Sequence, residues 1–142
     1  MADSMIDLAW EKKMRFSTNL NGHDLILDVD ESSGGDDSGP RPKQLMLVAL
    51  AGCTGMDVVA ILRKMKVDVD DFHVKAEGDL TDEHPKYYHR IHVIYEFRGT
   101  DLPMDKLEKA VSLSEDRYCG VSAVYKKVIE MTSEIKILDG PA

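Results

Sequence analysis

The chain has 142 residues, 43% hydrophobic and 31% charged, with a net charge of −8 and two cysteines. That length is enough for a single domain, residues 1–142, with its own core and no disulfide staples, and the composition is that of a soluble globular protein. The acidic excess repels polyanions, which excludes nucleic acid and anionic membrane surfaces as expected partners.

From Met1 to Asp30 the pattern has period two: Ile6, Leu8, Trp10, Met14, Phe16, Thr18 and Leu20 share one parity. Asn21-Gly22 follows, a pair suited to the two positive φ angles of a type I′ turn. Leu25, Leu27 and Val29 then alternate with Asp24, Asp28 and Asp30. The segment predicts one antiparallel hairpin with a buried face. No basic stretch precedes an apolar run at the start, so no signal peptide is expected. Residues 31–41 (ESSGGDDSGPR) contain no core-forming side chain and read as a mobile, solvated connector, placed where it could flank a site.

Pro42 suits a first helical turn, and the spacing predicts a helix from Pro42 to Lys66. It is apolar nearly all round until Arg63, Lys64 and Lys66, cations that complement the negative end of its dipole. Gly52, Thr54, Gly55 and Asp57 interrupt the apolar run, which favours an enclosed core helix over a membrane span. One sheet can cover only one side of such a helix, so a second copy of the chain is expected over the other. Alternation resumes at Phe72, Val74 and Ala76 and again at Ile91, Val93, Tyr95 and Phe97, around the polar turn at residues 81–86. Pro103 opens a second helix with Leu107, Ala110, Val111 and Tyr118 at helical spacing. It should end near Cys119, with a short helical stretch through Val124 and Tyr125. Ile129, Met131, Ile135 and Ile137 make a last strand, for an α+β order of ββα-ββα-β.

The chemistry rests on two thiols. Cys53 sits in Ala51-Gly52-Cys53-Thr54-Gly55 and Cys119 in Tyr118-Cys119-Gly120-Val121-Ser122. Cysteine is often a small buried hydrophobe, but helical glycines cost up to about 1 kcal/mol each and imply a close approach beside Cys53. Composition alone favours neither reading. Cys119 precedes a possible helix start, where the dipole favours a thiolate. A disulfide would need Cα atoms within about 4.4–6.8 Å, which spacing cannot show. In a cytoplasmic protein, the expected location, such a pair points to catalysis or sensing more than to a structural bond. Asp57 falls one turn after Cys53 on the same face, able to orient a partner group but read first as a solvent-edge residue. His23, His84, His73, His89 and His92 form no ligand pattern, and two separated cysteines have no zinc-type spacing, so neither metal nor cofactor is expected.

Pro42-Lys43-Gln44-Leu45, then Ala49 to Val59 (ALAGCTGMDVV), then Tyr118 to Ser122 (YCGVS), together resemble the OsmC/Ohr family, osmotically inducible and organic hydroperoxide resistance proteins. The Trp10 strand and the Gly-containing loop extend the likeness over essentially the whole chain. The resemblance implies an intertwined homodimer, with antiparallel sheets wrapped around long central helices. It also implies a thiol-dependent peroxidase: Cys53 attacks an organic hydroperoxide and becomes a sulfenic acid, Cys119 resolves it to a disulfide, and an external dithiol, of lipoyl type in some members, restores both thiols.

The chain departs from the family's Pro-Glu-Gln-Leu at Lys43, where the glutamate would pair with an arginine that activates the thiol. Lys43 lies about 15 Å before Cys53 along a straight helix. Arg15 is the only arginine of the first hairpin. Arg15, Lys43 and Asp57 are therefore the candidates for substrate contact or thiol activation, and the chain fits the OsmC-like branch better than a typical Ohr. Two other readings stand beside the peroxidase. One is a dimer that binds a small apolar molecule or senses redox state; the other is a structural dimer with two core thiols.

Overall fold

Lys13 adopts a left-handed φ of 47°, and there the N-terminal segment doubles back. In the computed structural model, which describes residues 2–139, the single strand expected before Asn21 is two strands. β1 (Ala9–Lys12), β2 (Arg15–Leu20) and β3 (His23–Leu27) form an antiparallel meander. The break escaped the sequence pattern because Lys13-Met14 carries no Gly, Pro or Asn and the alternation runs through it in phase. The second turn is as expected, with Asn21 at φ 52° and Gly22 at φ 84°. Gly22 N–H donates to the Asn19 side-chain oxygen at 3.0 Å, fixing the turn from its flank.

The loop after β3 is tied down rather than solvated throughout. Asp28 is buried, and its carboxylate accepts from Ser38 Oγ at 2.6 Å and from the backbone N–H groups of Val29, Asp36 and Ser38. A Cβ at Gly35 would overlap the Val29 carbonyl, and one at Gly39 the Ile26 carbonyl, so only glycine lets this loop fold onto β3. Asp30 caps a 3-10 turn, Glu31–Ser33, through Ser33 N–H.

Two units make up the chain, the first ending at Met46 and the second beginning at Leu47. In the second, β4 (Asp71–Leu80) pairs antiparallel with β5 (Tyr88–Arg98), which pairs parallel with β6 (Glu130–Leu138). The expectation of purely antiparallel sheets is corrected here. The chain between β5 and β6 holds α2 (Met104–Leu113) and α3 (Gly120–Tyr125), and a crossover of that kind returns the next strand parallel.

α1 (Leu45–Lys64) is three residues shorter at its start than expected, because Pro42 to Gln44 form turns in which the Pro42 and Lys43 carbonyls accept from Leu45 and Met46 N–H. It ends by a Schellman pattern: Lys66 takes φ 59°, Val67 N–H reaches Leu62 O at 2.9 Å and Lys66 N–H reaches Arg63 O at 3.1 Å. Leu50, Thr54, Val58 and Leu62 recur every fourth residue and are its buried stripe. They join Ile91, Val93, Tyr95 and Phe97 of β5 and Leu107, Ala110 and Val111 of α2 in one core. Phe72 stacks on Phe97 with ring centroids 4.5 Å apart. Tyr118, expected on the buried face, is exposed, since regular helix ends at Leu113 and a π turn, Ser114–Tyr118, shifts the later residues round the axis. By length and composition α1 could cross a bilayer, yet its Leu50 stripe is packed inside this core. Val48, at 64% exposure, and Met56, at 76%, leave the other side of α1 uncovered.

Two outcomes follow from these packing and hydrogen-bond arrangements. Leu107→Ala removes a fully buried side chain from the centre of the second core and should cost about 2–5 kcal/mol in denaturant unfolding. The Ser38 hydroxyl and N–H, aided by Val29 and Asp36 N–H, hold the Asp28 carboxyl well below the usual carboxylate range. The unfolded chain therefore takes up that proton first. The stabilisation is complete above about pH 4 and is lost as pH falls further. Asp28→Asn should flatten this acid limb in thermal melts between neutral and acid pH.

Candidate functional site

Cys53 and Asp57 stand one turn apart on α1, beside the buried stripe, and both are partly exposed. Cys119 comes from the crossover, between the π turn and α3, and is 3% exposed. Its backbone N–H donates to Ser114 O at 2.8 Å, and its sulfur accepts from Ser122 N–H at 3.3 Å. These constraints aim Cys119 at α1. The two Sγ atoms and an Asp57 carboxylate oxygen all lie within 4.8 Å of one another. Both cysteines are free thiols.

Burial, followed by the hydrogen bond with Cys53, pushes the Cys119 thiol up to about 11, with the Ser122 N–H opposing. Cys119 is accordingly a protonated thiol at neutral pH, beside the less buried Cys53. Asp57 is not a bare solvent-edge residue: Ser114 Oγ, itself fully buried, donates to its Oδ2 at 2.9 Å. Ser114 was missed from sequence, although its i+7 spacing from Leu107 marks it as inward-facing. On the core side of the thiols, Thr54 Oγ1 and Tyr95 OH share a hydrogen bond of 2.8 Å, both residues at 0% exposure. Burial drives the Tyr95 hydroxyl above the usual tyrosine range and the Glu115 carboxyl above the usual carboxylate range.

The glycines around Cys53 have separate meanings. A Cβ at Gly55 would meet Val74 of β4 at 3.2 Å, so the close approach is by the sheet, whereas a Cβ at Gly52 would meet nothing within 4 Å. A groove of about 480 Å³, lined by Gly52, Gly55, Met56, Val59 and Phe72 among others, runs along this side of α1. Arg15 and Lys43 belong to the first unit. Arg15 Nε lies 2.8 Å from Glu11 Oε2 as a charge pair lacking hydrogen-bond alignment, and Lys43 is exposed in the turn before α1. The histidines occupy surfaces, as read from the sequence. His92 bridges Thr132 Oγ1 at 2.7 Å and Glu134 Oε2 at 2.6 Å, and His73 pairs with Asp71.

A long core helix, a mixed three-stranded sheet and two thiols meeting at a helix–crossover junction define an α+β protein of the OsmC/Ohr kind. Residues 35–134 match the family model for OsmC-like proteins, and the chain belongs to that family. Protein YhfA of Escherichia coli K12 is 29% identical over 130 residues, covering 91% of this chain and 94% of its own. A crystal structure from Aquifex aeolicus VF5 superposes with a TM-score of 0.82 at 28% identity, covering 98% of this chain and all of that one. The organic hydroperoxide resistance protein OhrB of Bacillus subtilis shares the fold at a TM-score of 0.63 and 16% identity, over 93% of this chain and 96% of its own.

The Thr54–Tyr95 contact gives a direct test of what holds Cys53 in place. Tyr95→Phe leaves the Thr54 hydroxyl buried without its partner and should cost about 1–3 kcal/mol. Thr54→Val in the same background should recover part of that loss, measured by a double-mutant cycle in urea.

Proposed function

We propose that the chain is a thiol-dependent peroxidase that reduces organic hydroperoxides, and the observation that carries this is the closeness of two free thiols, one partly exposed and one buried. The Cys53 thiolate attacks the distal oxygen of ROOH; the O–O bond breaks, the alkoxide takes a proton and leaves as ROH, and Cys53 becomes a sulfenic acid. Cys119 then gives up its proton and attacks that sulfur. An S–S bond forms, and hydroxide leaves as water with the released proton. A dithiol reductant, of lipoyl type on the family resemblance, restores both thiols by exchange and ends as its own disulfide. Family membership supports the scheme, and the chain shares its fold with the organic hydroperoxide resistance protein OhrB of Bacillus subtilis. Asp57 is the activating candidate within reach of both sulfurs, whereas Arg15 and Lys43 are proposed for activation or substrate contact on the family resemblance alone. A reducing compartment, the cytoplasm, suits a cycle that must return to free thiols.

The working unit in this proposal is a homodimer. Val48 and Met56 are large apolar side chains exposed on a core helix, and a second copy packed there would remove them from water. Met56→Asp should convert dimer to monomer in size-exclusion chromatography with light scattering. A second reading, a dimer that binds a small apolar molecule or senses redox state, draws on the apolar groove along α1. A stoichiometric ligand in native mass spectra, together with thiols inert to peroxide, would favour it.

Stoichiometric cumene hydroperoxide followed by intact-mass measurement tests the peroxidase. Loss of two hydrogens is expected for the native chain. Cys53→Ser should abolish peroxide consumption, and Cys119→Ser should leave a sulfenic acid that dimedone traps. Full turnover by Cys53→Ser refutes the assignment.

A further inference from the structure

We propose that the reduced site is also a divalent-metal site, in which Cys53, Asp57 and Cys119 hold a thiophilic ion of the Zn²⁺ class and a water completes the coordination. Among the described residues, these three offer the group of donors close enough to share one ion. The proposal uses the thiols of the peroxidase reading but does not depend on it.

The donor geometry is close to what such an ion demands. Tetrahedral zinc, with Zn–S near 2.3 Å and Zn–O near 2.0 Å, sets its donors about 3.5–3.8 Å apart. Here all three ligand atoms already lie within 4.8 Å of one another, so side-chain rotations that shorten these separations by about 1.3 Å at most close the site. Cys53 and Asp57 are an i, i+4 pair on one face of α1, the spacing by which a single helix presents two ligands to one ion. Cys119 supplies the third from a different element, which a search for local cysteine spacing cannot detect.

The surrounding shell suits a metal as well. Ser114 Oγ binds Asp57 Oδ2, which fixes the carboxylate plane and leaves Oδ1 to turn to the ion, as outer-shell partners commonly do. The Ser122 N–H on the Cys119 sulfur is a donor that a thiolate needs when it is buried. Two thiolates and a carboxylate carry three negative charges against the ion's two positive ones. The acidic chain, at net −8, attracts cations rather than repelling them. On binding, each coordinated thiol gives up its proton, so up to two protons are released per ion. A metal-bound site and a Cys53–Cys119 disulfide exclude each other, because the disulfide has no thiolate to donate.

Titration of the reduced full-length protein with Co²⁺ under anaerobic conditions tests the inference without peroxide. The expected result is one ion per chain, with the visible absorption of tetrahedral cobalt and a sulfur-to-cobalt charge-transfer band, both removed by added Zn²⁺. Asp57→Asn should weaken Co²⁺ binding by about 10-fold or more, judged against the loss seen when a supporting residue is removed. Circular dichroism establishes that the variant is folded; should it fail to fold, native protein oxidised beforehand to the Cys53–Cys119 disulfide serves instead and should bind no ion. Absence of the charge-transfer band at millimolar Co²⁺ overturns the site. So does binding that is unchanged in folded Asp57→Asn or in the disulfide form. Peroxide consumption assayed on metal-free protein reports on the peroxidase separately, so either proposal can fail while the other stands.

Discussion

The rotation of α1 about its own axis is the constraint on which the site depends, and the hydrogen bond between Thr54 and Tyr95 fixes it. Leucines and valines around an apolar helix are interchangeable as buried surface, so hydrophobic burial alone specifies the angle loosely. Two hydroxyls at 0% exposure are less forgiving, because each must find a partner in an interior that offers few. With Thr54 turned to Tyr95, Cys53 and Asp57 come to the edge of the buried stripe where the crossover delivers Cys119. Turn the helix by one residue, about 100°, and both Cys53 and Asp57 leave that edge.

The crossover has its own means of delivery. α2 is anchored by Leu107, Ala110 and Val111, and the π turn after it inserts an extra residue's worth of rotation before α3 begins. That widening turns Tyr118 outward and Cys119 inward. Single-turn π segments cluster at functional sites because they re-aim a side chain without breaking the helix path. Ser114 links the two halves, its hydroxyl on Asp57 of α1 and its carbonyl on the Cys119 N–H. One serine thus positions both a carboxylate and a sulfur.

Much of this was legible in the residues. Alternation at Phe72–Ala76 and Ile91–Phe97 marked β4 and β5, and Asn21-Gly22 marked the turn between β2 and β3, because period and positive φ are local properties. The all-round apolar character of α1 pointed to a helix with more than one covered side, and Val48 and Met56 are the side chains left over. The turn at Lys13 was not legible, since a lysine in the left-handed region leaves no mark in composition. Nor was the parallel direction of β6, which depends on where the crossover lands. Of the site, the two cysteines stood out by their neighbours, but their meeting is a tertiary fact. Asp57 reads as a solvent-edge residue because its hydrogen-bond partner, Ser114, lies far along the chain.

The long stretch of chain between the two sulfurs has a mechanical consequence. It includes most of α1, all of β4 and β5, and α2, so a covalent link between residues 53 and 119 would close a loop around the greater part of the second core. On the chain-entropy scale such a closure removes about 4 kcal/mol of freedom from the unfolded chain. A disulfide at this junction would therefore harden the molecule, and the linked form would outlast the open one on heating.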